Sequence, residues 1–182
     1  MALILPAMLW GFPVQGMAAE DGLRDAMQAF GVQLPKERKA APGFALKMAG
    51  GGLASLKDYR GRLVLLHFWA TWCPPCRHEM PLLHRMDKRL ADDGLSVVCV
   101  NVNRGDGQTV GDFMREVSPQ FHTLLDPGGM VRNRYEVRVL PTSYLIAGDG
   151  RIIGRMVGER DWDGKAAISL FRRIAELYAE GR

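Results

Sequence analysis

The sequence predicts an α/β domain built on a mixed sheet flanked by helices, and three observations carry that prediction. First, an apolar run from Leu63 to Trp69 is followed by helical spacing from Cys73 to about Ala91, then by a second apolar run, Leu95 to Val102. Strand, helix and strand in that order form a βαβ unit with a parallel pair. Second, Asp149-Gly150 stands between the strand-like runs Thr142–Ala147 and Arg151–Val157. That dipeptide is a two-residue hairpin signal and demands antiparallel pairing. Third, Phe44, Leu46 and Met48 alternate with small or polar residues, and Gly50-Gly51-Gly52 turns the chain into a return strand, Leu53–Leu56. This is an N-terminal hairpin.

Composition narrows the class. The chain has 182 residues and is 47% hydrophobic, enough for one domain with a packed core. Its net charge of +4 comes from 24 basic and 20 acidic residues that are interspersed. No Lys or Arg run is long enough to track a phosphate backbone, so no nucleic-acid partner is expected and the protein is read as a monomer.

Residues 1–18 are mostly apolar and end in Gly16-Met17-Ala18, a small-x-small pattern. Pro6 and Pro13 interrupt the run, which is too short for a membrane span. It reads as the hydrophobic part of a secretory leader without its basic front, with an apolar arm packed on the domain as the other reading. Residues 19–40 are expected to hold a short helix, Asp21 to Phe30, with Leu23, Met27 and Phe30 on one side. A charged linker, residues 35–39, follows, and the domain proper is placed at 41–182. Farther on, Thr109 is a fair cap for a helix through Val117, Phe121–Leu125 reads as an extra strand, and Met130 to Tyr135 as a helix. The last helix runs from about Asp163, its expected cap, to Tyr178, with Ala167, Phe171 and Ile174 at helical spacing.

The chemistry centres on His67-Phe68-Trp69-Ala70-Thr71-Trp72-Cys73-Pro74-Pro75-Cys76-Arg77. A strand here delivers a Cys-x-x-Cys to the first turn of a helix. Free N–H groups and the positive end of the helix dipole favour a thiolate there, and such a cysteine commonly has its pKa lowered to roughly 3.5–7.5. Cys73 is therefore the expected attacking thiol and Cys76 the buried one that resolves the mixed disulfide. The other reading is a structural disulfide at a helix start. Cys99 lies in an apolar run and reads as a buried core cysteine. One Cys pair without a second is no zinc site, and Arg77 stands where covalent haem attachment needs His. No metal is expected.

This stretch resembles the active site of the thioredoxin superfamily, and most of all the extracytoplasmic TlpA/ResA/CcmG-like branch. Ala41-Pro42-Gly43-Phe44, Leu56-Lys57-Asp58-Tyr59-Arg60-Gly61, Glu79-Met80-Pro81 and Leu140-Pro141-Thr142 fall, in order, where that branch has similar residues. The likeness covers about residues 41–178. It implies a thioredoxin-like mixed sheet with an N-terminal β-hairpin and a central βα insertion. It also implies a cis bond before Pro141 that faces the disulfide, so that the backbone of Leu140 can pair with an extended substrate. Trp72, Pro74, Pro75, Leu140 and Pro141 are accordingly the candidate substrate-binding residues. Cys73, Cys76, His67 and Glu79 are the candidate catalytic ones, with Glu79 tuning the thiols; a solvated helix-face carboxylate is its other reading. His67 departs from the superfamily, which has Asp or Asn there. Six residues before Cys73 in the strand, it points under the site, where a neutral imidazole could accept the Cys76 proton; a satisfied core histidine is the alternative. Gly43, where the branch has Asp, is a second departure.

The resemblance implies a thiol-disulfide oxidoreductase that reduces protein clients in an extracytoplasmic, membrane-associated or periplasmic setting, with cytochrome c maturation as the specific expectation. No cofactor is expected beyond the redox-active disulfide. The expected partners are thiol or disulfide client proteins and an upstream electron donor such as a membrane thiol-disulfide transporter. Two other classes share the residues. A peroxiredoxin needs Pro-x-x-x-Thr-x-x-Cys, and Thr71 lies two residues before Cys73, not three. A copper-delivery protein would use Cys73 and Cys76 with His78 or Met80.

Overall fold

A computed structural model describes residues 14–105, 107–117, 121 and 123–179. Strand β3, Leu63–Trp69, is the axis: all seven of its side chains are buried. It pairs in parallel with β4, Leu95–Asn101, and antiparallel with β6, Thr142–Ile146. A strand covered on both faces explains an apolar run that only His67 interrupts. Strand β7, Ile152–Val157, follows β6 through the Asp149-Gly150 turn. The hairpin of β1, Ala45–Met48, and β2, Leu53–Ser55, lies at the other side. Between hairpin and core sits β5, Thr123–Leu125, parallel to β4 and antiparallel to β1. The sheet order is β2-β1-β5-β4-β3-β6-β7. The inserted β5 is thus the splice that joins the N-terminal hairpin to the core sheet.

Helix α2, Pro74–Leu90, leaves the end of β3 with Cys73 as its cap residue and Pro74 in its first turn, where a missing N–H costs nothing. Its buried stripe, Cys76, Glu79, Met80, Leu83, Met86 and Leu90, lies on the sheet. The loop between β3 and α2 is fastened to the loop after β4. The Thr71 N–H donates to Asn103 Oδ1 at 3.0 Å, and Asn103 Nδ2 donates to Thr71 Oγ1 at 2.6 Å. Helix α3, Gln108–Val117, precedes β5, and the short α4, Met130–Arg134, precedes β6. Thr109 therefore lies inside the first turn of α3 and does not cap it. Helix α5, Lys165–Tyr178, closes the chain.

The N-terminal region differs most from expectation. Helix α1 spans Val14–Ala29, so it starts seven residues earlier than the apolar spacing indicated. Leu23 and Met27 are buried, and α1 packs against α5. The charged segment behind it is no free linker. Gln33 and Ala40 form bridges to Arg155 and Arg151, along and beside β7. The packed core therefore includes α1, because one apolar side of that helix lies against it beside α5. The leader expected over 1–18 falls outside the described residues, except that 14–18 belong to α1. Asp163 does not cap α5, whose cap residue is Gly164; its carboxylate pairs with Arg85. Among the described residues no helix is long and apolar enough to cross a membrane.

Candidate active site

Cys73 and Cys76 form a disulfide with their Cα atoms 5.3 Å apart, inside the range that two cysteines can bridge. Cys76 is wholly buried, while Cys73 keeps 5% of its surface open. The exposed landmark is Trp72, 65% accessible beside the disulfide. Trp69, immediately before the loop, is instead fully buried and donates from Nε1 to Thr123 Oγ1 at 2.9 Å. The two tryptophans divide as core and surface because Trp69 is the last residue of β3 and Trp72 lies in the turn.

Behind the disulfide lies a buried acid and a buried base. Glu79 follows Cys76 by three positions, so both project from one face of α2. Its carboxylate is fully buried, which removes the solvated-face reading. Glu79 Oε1 accepts the Arg160 backbone N–H at 2.8 Å and Trp162 Nε1–H at 2.5 Å. Oε2 has no hydrogen-bond partner, and it faces His67 Nε2, equally unpartnered, at 3.8 Å. His67 is also fully buried, and its Nδ1 lies 2.9 Å from Ser143 Oγ. Trp162 packs edge-on against the imidazole, with ring centroids 6.3 Å apart.

Burial disfavours the charged form of each group, and so it moves the two in opposite directions. It pushes the His67 imidazole down to about 3. Desolvation pushes Glu79 up to about 7, partly offset by the Arg160 and Trp162 hydrogen bonds. Below neutral pH the proton therefore sits on Glu79, with His67 neutral. Ser143 suits either arrangement: a hydroxyl can accept from Nδ1–H or donate to bare Nδ1, leaving Nε2 free to take or give a proton toward Glu79. The histidine is thus only half satisfied as a core residue.

The Leu140–Pro141 bond is cis. Thr142, next in the chain, pairs with Phe68, one residue before the end of β3, so Pro141 and the disulfide lie at the same end of the sheet. Val139 beside them is 55% exposed. Cys99 is free and fully buried in β4, and burial raises its thiol far above its usual pKa. The copper donors are not gathered: His78 lies 2.5 Å from Glu159 on the surface, and Met80 is in the core. Among the described residues no group of three or more His, Cys, Asp or Glu is placed to hold a metal ion.

The AhpC/TSA family model matches residues 38–155. The chain belongs to the AhpC/TSA family. Among its relatives, the thiol-disulfide oxidoreductase ResA of Bacillus subtilis is 35% identical over 123 residues, covering 67% of this chain and 68% of that protein. The thioredoxin-like protein YneN of the same organism is 39% identical over 125 residues, 68% of this chain and 72% of that one. A Chlorobium tepidum structure assigned as thiol:disulfide interchange protein DsbE superposes with a TM-score of 0.67 at 34% identity, covering 76% of this chain and 96% of that chain. The fold is thioredoxin-like, and the chain is a thiol-disulfide oxidoreductase of the ResA/DsbE type. Membership of the AhpC/TSA family does not bring the peroxidatic pattern, since Leu66 and Ala70 occupy its Pro and Thr positions ahead of Cys73.

Three residues of this AhpC/TSA site escape the sequence reading: Ser143, Arg160 and Trp162. Ser143 reaches His67 through strand register, as the direct partner of His67 across β3 and β6. Trp162 sits in a polar stretch, Glu159 to Asp163, that reads as loop; an isolated Trp in such a stretch was the available signal.

Proposed function

We propose that this protein reduces disulfides of extracytoplasmic client proteins through Cys73 and Cys76, with His67 and Glu79 together accepting the proton of the resolving thiol. The observation that carries the reading is a buried acid–base pair of unpartnered atoms, set one helical turn behind the inner cysteine. In the reduced enzyme, the Cys73 thiolate attacks one sulfur of the client disulfide. A Cys73–client disulfide forms and the other client sulfur leaves as thiolate. Cys76 then gives its proton to the His67–Glu79 pair and attacks Cys73 Sγ. The Cys73–Cys76 disulfide closes, the second client thiolate leaves, and two electrons have passed to the client. An upstream dithiol donor, a membrane thiol-disulfide transporter in the extracytoplasmic setting, returns the enzyme to its reduced state.

The client docks across Trp72, the Pro74-Pro75 turn and the Leu140–Pro141 backbone. Support comes from the exposed indole and from the shared sheet end of Pro141 and Cys73. The resemblance to the branch that reduces apocytochrome c supports an apocytochrome client whose two cysteines must be reduced before haem attachment. The test is trapping. Cys76→Ser accumulates mixed disulfides with clients in extracytoplasmic extracts, and Cys73→Ser accumulates none. In the reduced native protein, iodoacetamide modifies Cys73 before Cys76. Peptide mapping that finds Cys76 modified first reverses the assignment, and an apocytochrome peptide that is not reduced removes the specific client.

A further inference from the structure

We propose that Arg160 is a positioning residue for Glu79, through which helix α1 sets how readily that carboxylate takes up a proton. The inference rests on the reading above that Glu79 is half of the proton-accepting pair. Helix α1 lies outside the matched stretch of 38–155, yet it reaches the site in two steps.

The first step is at the end of α1. Arg160 Nε donates to the Phe30 carbonyl at 3.2 Å. A cation is favoured at this end of a helix, where carbonyls lack partners and the dipole is negative. Gly31 makes room for it. With φ at +90°, a Cβ there would come within 2.6 Å of Arg160 Nη2, so a side chain would displace the guanidinium. The Phe30 ring meanwhile packs against Trp162 and Phe171, with centroids 6.0 and 5.6 Å away. Arg160 and Trp162 are thus both held by the residue that follows α1.

The second step runs inward. The same two residues are the donors to Glu79 Oε1, from the Arg160 backbone and the Trp162 ring. Hydrogen bonds to the charged form of a carboxyl favour that form, and burial opposes it. The titratable groups around Glu79 are His67 from β3, Cys99 from β4, and Glu159 and Arg160 from the segment before α5, while Cys76 on its own helix is tied up in the disulfide. Arg160 supplies the only positive charge among them at neutral pH. Releasing Arg160 from Phe30 therefore withdraws a cation and leaves the Arg160 backbone donor without its anchor, and Glu79 holds its proton more tightly.

The test is the carboxyl titration of Glu79 in the oxidised full-length protein, followed by ¹³C NMR of glutamate-labelled enzyme, with Glu79→Gln identifying the resonance. Arg160→Ala is expected to raise the Glu79 midpoint by about one pH unit. Arg160→Lys, which keeps the charge and one donor, returns it most of the way. If the alanine variant does not fold, Arg160→Gln gives a smaller shift of the same sign. A midpoint unchanged in Arg160→Ala, or in Arg160→Gln where that variant stands in, overturns the proposal. The titration involves no client and no thiol, so it stands or falls separately from the question of whether Glu79 receives the Cys76 proton.

Discussion

Two histidine–glutamate pairs lie almost side by side in this protein, and they behave oppositely. His78 and Glu159 sit at 2.5 Å on the surface, their side chains 69% and 45% exposed. His67 and Glu79 stand farther apart, 3.8 Å, and both are fully buried. Residue 78 is next to residue 79, and 159 is next to the Arg160 that donates to Glu79. The closer pair is the less consequential one. Water solvates both partners whether or not they touch, so such a contact is worth at most about 1 kcal/mol. The buried pair has no water to fall back on, and burial shifts its two members in opposite directions. Desolvation, and not contact distance, is what makes a proton-handling site here.

The largest expected effect lies in the pH dependence of stability. Unfolded, between pH 4.5 and 6.5, Glu79 is ionised and His67 protonated; folded, Glu79 holds the proton and His67 is neutral. Both states bind one proton, so the pair contributes no slope in that window. His67→Leu removes the balance. The folded state then binds the extra proton, and the stability of the variant falls by about 3 kcal/mol as pH rises from 4.5 to about 7. Glu79→Gln does the reverse. The unfolded state binds the extra proton below pH 6.5, so the stability of this variant rises by about 3 kcal/mol from pH 4.5 to 6.5. Urea unfolding at half-unit pH steps measures both, and parallel curves for the three proteins would break the contrast with the surface pair.

A smaller effect is expected from Trp162→Phe, which keeps the packing against His67 but removes the donor to Glu79 Oε1. The loss is about 2 kcal/mol at pH 8, where the carboxylate is charged, and less at pH 5, where it is protonated. Denaturation at the two pH values checks the difference. Smallest of all, Glu159→Gln should change stability by no more than about 0.5 kcal/mol, and less still in high salt.

The comparison also shows what the sequence could carry. The three-residue spacing of Cys76 and Glu79 put the acid one helical turn from the thiols but left a solvated helix face open for it, and the strand position of His67 placed that residue beneath the disulfide. Their meeting was not legible, since it depends on how a helix sits on a strand. Ser143, 76 residues from His67, arrives through strand register, and Trp162, 83 residues from Glu79, through a polar loop. Neither has a periodic signature. The extended α1 was half legible: Leu23, Met27 and Phe30 marked an apolar side. Nothing in residues 35–39 showed that this charged segment would be tied to β7 through backbone bridges. Local chemistry and periodicity read well here, and contacts set by tertiary register did not.

The central claim is that the buried pair takes the proton from Cys76, and the rate of mixed-disulfide resolution tests it most directly. A disulfide preformed between Cys73 and a client peptide is mixed in a stopped-flow instrument, and release of the peptide thiol is followed from about pH 6 to 9. General-base assistance is typically worth about 10²–10⁴-fold, so His67→Leu and Glu79→Gln are each expected to slow resolution at pH 7 by about 10²-fold. His78→Leu should leave it unchanged, and alkylation of Cys73 should proceed at the wild-type rate in all three. Resolution at the wild-type rate in both His67→Leu and Glu79→Gln across that range would contradict the account and reduce the pair to core residues.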